Sequence, residues 1–407
     1  MKSAVAAATL ILVSLAASDA SAGRYIPGNA HRIGVRNAGM GGNHVALGGA
    51  IAGAFTNPAT IRLPQDATVF AAEGFVADGP EFETRGGSNL VRSRQDSPPL
   101  LIGFATTYKR DYAFAIVDGL RYDSRYTGRL LSVDDEQATI TDYQEEVRLS
   151  TTGLAVSTHV LREWDFGLAL YYDRQKVFKR VDYTPKNDAF RFDDYEAFGT
   201  ATALHGGVGA LWQATPTVAY GLAFQTSIDL RNNLTVQSFP VNITPTPDNP
   251  NNFFTESFPV SEDQFPWNMT IGTHRALRPT TDLYADITYV HWKIDPDRTG
   301  IVTGAVGFEN RRASGQIALR AGLYTQPDPS KYEGTASLTE EDLRLLDLRS
   351  ATTSASAGEN NEIFFTGGLG VRASYFLFDL SVEDSHLISD FGRTIVKLGF
   401  TALLPST

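Results

Sequence analysis

The chain has 407 residues, a formal net charge of −11 and no cysteine. The acidic balance argues against a nucleic-acid partner, because phosphate binding needs clustered Lys and Arg; the missing thiols exclude disulfides, thiolate metal sites and cysteine nucleophiles. The length suits two or three soluble domains or one large β-barrel, and no run of about 18 apolar residues follows the N-terminus, which removes a membrane helix but leaves a barrel open.

Residues 1–22 read as a secretory signal peptide. Lys2 gives the positive start, 4–17 is apolar, and Ala20-Ser21-Ala22 is a small-residue cleavage site with Gly23 as the mature start. Without an acceptor Cys, a lipoprotein is not expected. Residues 23–65 are small and apolar, from Asn37-Ala38-Gly39-Met40-Gly41-Gly42 through Phe55-Thr56 to Asn57-Pro58-Ala59. We read them as a plug, because they sit between a signal and a long series of strands. The Asn57 amide is expected to tie this segment to the inner wall or to its own backbone, with Pro58 stiffening the turn; an ordinary Asn-Pro turn is the plainer alternative.

From 66 to 407 the sequence alternates. We read strands at 67–77, 100–109, 112–122, 143–161, 165–178, 200–214, 218–228, 265–277, 282–292, 301–310, 316–325, 361–372, 375–383 and 394–404, fourteen in all. Short connections, such as 110–111 and 162–163, alternate with long ones at 78–97, 123–142, 179–199, 229–264, 294–300, 326–360 and 384–393. Within the long connections, 242–252 is rich in Pro and Asn and reads as irregular. Residues 338–346 carry a helix signal, with Thr339 as cap and Glu340, Glu341 and Asp342 in the first turn, and form a candidate lid.

The alternation is explicit near the C-terminus. Phe376, Phe378, Leu380 and Val382 oppose Asp379, Ser381 and Glu383, and Val396, Leu398 and Phe400 oppose Lys397, Gly399 and Thr401. A soluble β-sandwich shows the same period. The length of the segments, the even count, the unequal connections and the aromatics near strand ends favour an all-β, membrane-spanning antiparallel barrel of about fourteen strands. Those aromatics are Tyr108, Tyr112, Tyr122, Trp164, Tyr171, Tyr172, Trp212, Tyr220, Trp267, Tyr289, Trp292 and Tyr324.

The run Gly53-Ala54-Phe55-Thr56-Asn57-Pro58-Ala59-Thr60-Ile61, followed by Ala67-Thr68-Val69-Phe70, resembles the N-terminal hatch and first strand of the FadL/OmpP1/TodX outer-membrane transporters. Asp118-Gly119-Leu120 with Thr127-Gly128-Arg129 is similar to that family's Phe-Gly-Leu…Gly-Arg-Tyr region, and Leu319-Arg320-Ala321-Gly322 to its Leu-Arg-Ala-Gly strand. Thr60, Asp118 and Leu130 depart from the family pattern. The resemblance implies a hatch inside a fourteen-stranded barrel of the bacterial outer membrane, secreted through the signal peptide. It also implies uptake of long-chain fatty acids or other hydrophobic small molecules and lateral exit at a kink in strand three. Asp118 and Gly119 mark the candidate kink; Gly119 either permits it or only ends the strand.

Phe55, Arg320, Arg372 and Lys397 are the candidate lumen contacts for a ligand. An anionic headgroup could pair with one of these cations, but lumen carboxylates such as Asp379, Glu383 and Glu362 are the stronger partners. No catalytic or metal-binding set is expected, since the histidines lack His-x-x-x-His or His-Glu-x-x-His spacing and no Gly-x-Ser-x-Gly elbow occurs. No cofactor is called for. The expected surroundings are outer-membrane lipid and lipopolysaccharide, and the expected state is a monomer. The rival function is a non-transporting barrel that serves as scaffold or shuttle for surface or secreted proteins.

Overall fold

The computed structural model describes residues 24–25, 33–42, 44–63, 67–78, 81–84, 88–92, 95–96, 99–134, 137–184, 194–239, 254–291, 301–312, 315–327, 361–387 and 394–405. The expected signal peptide, the 242–252 loop, the 338–346 helix and Trp292 lie outside the described residues.

Fourteen strands form one closed sheet. They are β1 (Ala67–Asp78), β2 (Leu101–Tyr108), β3 (Tyr112–Asp134), β4 (Gln137–Leu161), β5 (Trp164–Thr184) and β6 (Asp194–Thr215). Two strands, β7 (Val218–Gln225 with Ile228–Phe239) and β8 (Phe254–Phe265 with Trp267–Arg278), are each built of two pieces. The rest are β9 (Thr281–His291), β10 (Ile301–Arg312), β11 (Ile317–Pro327), β12 (Asn361–Ala373), β13 (Phe376–Asp384) and β14 (Thr394–Pro405). Neighbours in sequence pair antiparallel, and β1 pairs with β14 from Ala67↔Pro405 to Asp78↔Thr394, which closes the ring. Closure leaves no bare sheet edge, the condition for crossing a bilayer with strands.

The sheet is inside out relative to a soluble protein. On β13 and β14, Phe378 and Leu398 are 51% and 63% exposed, while Ser381, Glu383 and Lys397 are at most 1% exposed. Phe114, Ile116, Leu154, Leu168, Leu170, Leu204, Ile271 and Ile287 continue the exposed apolar band round the wall. A band this continuous is incompatible with a water-facing surface and fits the hydrocarbon layer. Stacked Trp164–Trp212 and Trp212–Tyr220 sit beside the short turns, and Trp267 with Tyr289 and His291 sits toward the opposite end. These are interfacial aromatics.

Two expectations need correction. Tyr122, Tyr171 and Tyr324 are not girdle residues: they point inward and are at most 3% exposed. The stretches 123–142, 179–199 and 229–264, read as loops, are largely paired strand. β4 alone runs 25 residues, a length of about 80 Å against a hydrocarbon core of about 30 Å. Beyond the membrane both faces of a strand meet water, so the alternation fades while the backbone ladder continues. Arg180 and Glu196, 3.5 Å apart across β5 and β6, belong to that outer part.

Residues 33–42 and 44–63 lie against the inner face of the wall. They form α1 (Val35–Ala38), α2 (Gly53–Thr56) and a 3-10 turn at Pro58–Ile61, all largely buried. Contacts run round the ring: Gly34 and Val35 to Glu73 of β1, Ala59 to Ser157 of β4, Asn57 to Ala210 of β6, and Gly39 to Thr366 of β12. Close approach is bought by wall glycines. A Cβ at Gly221 would collide with the Val45 carbonyl, and one at Gly307 or Gly322 with the Met40 carbonyl. On the segment itself Gly41 has φ +85° and lies against the Leu323 backbone, so a side chain is excluded there on both counts.

Candidate functional site

Asn57 is the hub of the segment. Its side-chain Nδ2 donates to the Val45 carbonyl (2.7 Å) and to the Ala210 carbonyl of β6 (3.1 Å), while Oδ1 accepts from the Ala59 N–H (3.1 Å). Both roles expected of it, tie to the wall and tie to its own backbone, are present in one residue. Asn57 thereby caps the Pro58–Ile61 turn, where Pro58 occupies the first position and loses no bond by lacking an N–H. Thr60 bonds the Asn57 carbonyl at 2.7 Å, and its hydroxyl fills the space a side chain at Gly53 would take.

One side of the segment is held by charge. Arg36 makes a bidentate bridge to Glu309 of β10 (3.0 and 2.8 Å), and Arg320 of β11 shares that carboxylate at 2.8 Å. Arg320 also reaches Asp379 of β13 at 2.5 Å. Lys397 of β14 pairs with Glu383, which accepts from the Tyr324 hydroxyl at 2.6 Å. His44 lies between Asp286 (2.7 Å) and the Met40 carbonyl (2.9 Å). So Arg320 and Lys397 face the lumen, buried and occupied by carboxylates. Arg372 instead stands exposed at the short-turn end of β12, its backbone N–H bonded to Gln316. The side chain of Glu362 lies outside the described residues.

The other side, toward β2 to β7, is mainly apolar, apart from a bridge between Arg62 and Asp165 of β5 at the short-turn end. Ile51, Phe55 and Ile61 pack with Leu100, Leu101, Val117, Leu120 and Tyr171. Burying such side chains stabilises by roughly 1.5–3 kcal/mol each. Phe55 stacks on Tyr171 with centroids 6.0 Å apart. The Tyr171 hydroxyl donates to the Ala54 carbonyl (2.5 Å), and the Gln225 amide donates to the Phe55 carbonyl.

Here the ladder breaks off among the described residues. β2 pairs with β3 only up to Leu101↔Gly119, and a short strand, Ser88–Arg92, resumes the pairing at Tyr126 to Arg129. Among the described residues, 121–125 of β3 have no ladder partner on that edge. On the other edge the β3–β4 register slips between Leu120 and Tyr122, which makes Arg121 the bulged residue. The irregularity therefore falls at Arg121 and not at Asp118-Gly119. Gly119 keeps regular pairing, and its bare Cα accommodates the Phe55 ring and the Leu100 carbonyl. Asp118 points outward, bonded to Thr152 (2.6 Å) and Arg174 (3.4 Å).

The bulge moves the inward phase on to Tyr122 and leaves Arg121, in phase with Ala113, Ala115 and Val117, on the lumen side. Arg121 turns into the lumen, where its guanidinium lies 5.6 Å over the Tyr171 ring and donates to His205 Nε2 (2.9 Å) and Gln225 Oε1 (2.5 Å). His205 Nδ1 meets Asp173 (2.5 Å), which also accepts from Thr151 (2.5 Å). Thr151 thus addresses the carboxylate while Arg121 takes the imidazole Nε2, so these groups form a structural chain without a nucleophile–base contact. Beside Arg121, inward-facing Tyr122, Val147, Leu149, Val177, Ala201, Ile228 and Leu230 make an apolar lumen surface.

Sequence reading missed Glu73, Glu309, Gln225 and Arg121. A weak signal existed for two of them. Glu73 is in phase with inward Val69 and Ala71, and Arg121 with inward Ala113, Ala115 and Val117. Glu309 and Gln225 acquire their roles only through cross-strand register.

Closed sheet, apolar exterior, polar interior and an N-terminal segment bonded to the inner wall define a class: a membrane-spanning β-barrel of fourteen strands. Its fold is that of the FadL-family outer-membrane channels. It is similar to the toluene transporter TbuX of Ralstonia pickettii, with a TM-score of 0.62, 12% identity and coverage of 93% of this chain and 100% of that one. The toluene transporter TodX of Pseudomonas putida gives 0.63, 12%, 92% and 98%. A FadL homologue of Pseudomonas aeruginosa gives 0.59, 14%, 94% and 100%. Neither a family model nor a curated protein sequence matches the chain.

Proposed function

We propose that this protein is a bacterial outer-membrane channel that takes up hydrophobic solutes such as fatty acids or aromatic hydrocarbons. In this reading residues 1–22 direct secretion, 23–65 form the hatch, and the barrel is monomeric in a lipopolysaccharide-bearing membrane. The interrupted β3 edge at 121–125, beside the apolar lumen surface, carries the reading. An apolar solute gains nothing from a water-filled pore, whereas an apolar lumen surface that opens sideways to the bilayer keeps it out of water. The similar structures support the same use, since they are toluene transporters and a monoaromatic hydrocarbon channel. Hatch and gap adjoin each other: Phe55 lies against Gly119, one residue before the pairing lapses.

The test is displacement of a fluorescent apolar probe from purified full-length protein by toluene, a long-chain alcohol and a long-chain fatty acid. Saturable displacement by at least one of them is expected. No displacement by any would sink the uptake reading and leave the scaffold or shuttle role standing.

A further inference from the structure

We propose that Arg275, beside the stacked rings of Trp164, Trp212 and Tyr220, binds the phosphate of an anionic phospholipid at the short-turn rim of the barrel. The inference needs the bilayer-spanning fold and no transported solute, so it stands or falls apart from the channel reading above.

Charge is unevenly placed on this chain. Its formal net charge is −11, yet the short-turn end is basic. Lys109 and Arg110 stand exposed between β2 and β3, Arg162 between β4 and β5, and Arg278, Arg312 and Arg372 at the ends of β8, β10 and β12. Among the described residues, the exposed carboxylates there are Asp111 and Glu163. Asp165 and Asp282 are buried and engaged by Arg62 and Arg311. The short turns of such barrels face the periplasm, on the side of the phospholipid leaflet. A basic rim draws anionic headgroups toward it over about a Debye length.

Arg275 differs from those cations in direction. It stands on β8 in phase with Met269, Ile271 and Leu277, which are exposed on the lipid face, and it is itself exposed. Its cross-strand neighbours are Val218 of β7 and Leu283 of β9, and no carboxylate pairs with it among the described residues. The turn at 215–217 beside it offers the hydroxyls of Thr215 and Thr217 and no charge. Tyr220 is paired with Thr273, which makes it the diagonal neighbour of Arg275. From Tyr220 the rings continue to Trp212 and Trp164, with centroids 5.5 Å apart at each step. Such rings mark the membrane interface, where an outward arginine is tolerated as it is not at the midplane. With no protein anion at hand, the counter-charge comes from outside the chain. A soluble partner would meet the turn tips in water, whereas a side chain in lipid phase meets headgroups. A phosphate accepts two guanidinium N–H groups at once. In a zwitterionic lipid its own ammonium already offsets it; in an anionic one it is uncompensated.

Full-length protein carrying Trp267→Phe and Trp292→Phe keeps Trp164 and Trp212 as its tryptophans. In phosphatidylcholine vesicles, quenching of these two rings by brominated-chain phosphatidylglycerol is compared with quenching by brominated-chain phosphatidylcholine. The anionic lipid should be preferred by about fivefold at low salt. Arg275→Gln should bring that ratio below about twofold, and Arg275→Lys should keep part of it. Heat-modifiable migration on gels reports whether each variant is folded. A ratio near one before any change at Arg275 overturns the proposal, as does an undiminished preference in Arg275→Gln. A ratio near one together with binding of polyglutamate to the detergent-solubilised protein also overturns it, and makes the rim a docking face for an acidic soluble protein. None of these readouts uses displacement of a probe from the lumen, so failure of the channel reading leaves them intact.

Discussion

The two sides of the lumen hold the same segment by different physics. Toward β10 to β14 the grip is ionic, through Arg36, Glu309, Arg320 and Asp379. Toward β2 to β7 it is mostly apolar packing and hydrogen bonds from Asn57, Gln225 and Tyr171 to backbone carbonyls, with one ion pair, Arg62–Asp165, at the short-turn end. The wall is interrupted only on the second side among the described residues. A buried ion pair demands its partner in place, because an orphaned charge is costly. Apolar contacts and single hydrogen bonds can be exchanged for a solute at small cost. The contrast assigns most of the anchoring to the ionic side and solute traffic to the mainly apolar one.

The comparison can be broken in order of expected effect. Deleting 23–60 removes both grips, and the truncated barrel should show steady ion conductance in planar bilayers. A truncated barrel as tight as the full chain would mean that the segment does not close the pore. Glu309→Ala leaves Arg36 and Arg320 without their shared carboxylate and should loosen the ionic side by about 3–5 kcal/mol. Hydrogen exchange of the 34–41 amides reads that loss. Asn57→Ala takes one donor from two carbonyls and the side-chain acceptor from the Ala59 N–H and should cost about 1–3 kcal/mol, visible as faster exchange at 57–61. Tyr171→Phe removes one hydroxyl from the Ala54 carbonyl and should cost about 1 kcal/mol. Because Glu309 and Tyr171 share no partner, the double variant should equal the sum of the singles. A marked departure would mean the two sides do not act independently.

Strand count and closure were legible, because period-two alternation survives wherever one face meets lipid, as on β11, β13 and β14. The outer extensions of β3 to β8 were not, since water on both faces erases that period. The inward aim of Arg320 and Lys397 followed from phase alone. Their partners did not, because Glu309 lies opposite Arg320 only in the register of β10 and β11. Asp118-Gly119 drew attention through its likeness to a family motif, but the bulge fell two residues later at Arg121, a backbone slip that no local pattern encodes and that turns Tyr122 inward.

By itself the sequence determined a barrel of fourteen alternating strands and a small-residue segment ahead of it with Asn57 at its end. Alternation and composition are local properties, which the chain carries wherever it folds. Only the tertiary structure decided which carboxylate neutralises which cation, which glycines the segment crosses, and that Arg121 meets uncharged acceptors beside an interrupted wall. Those depend on register and on ring closure, which bring residues together from opposite ends of the chain.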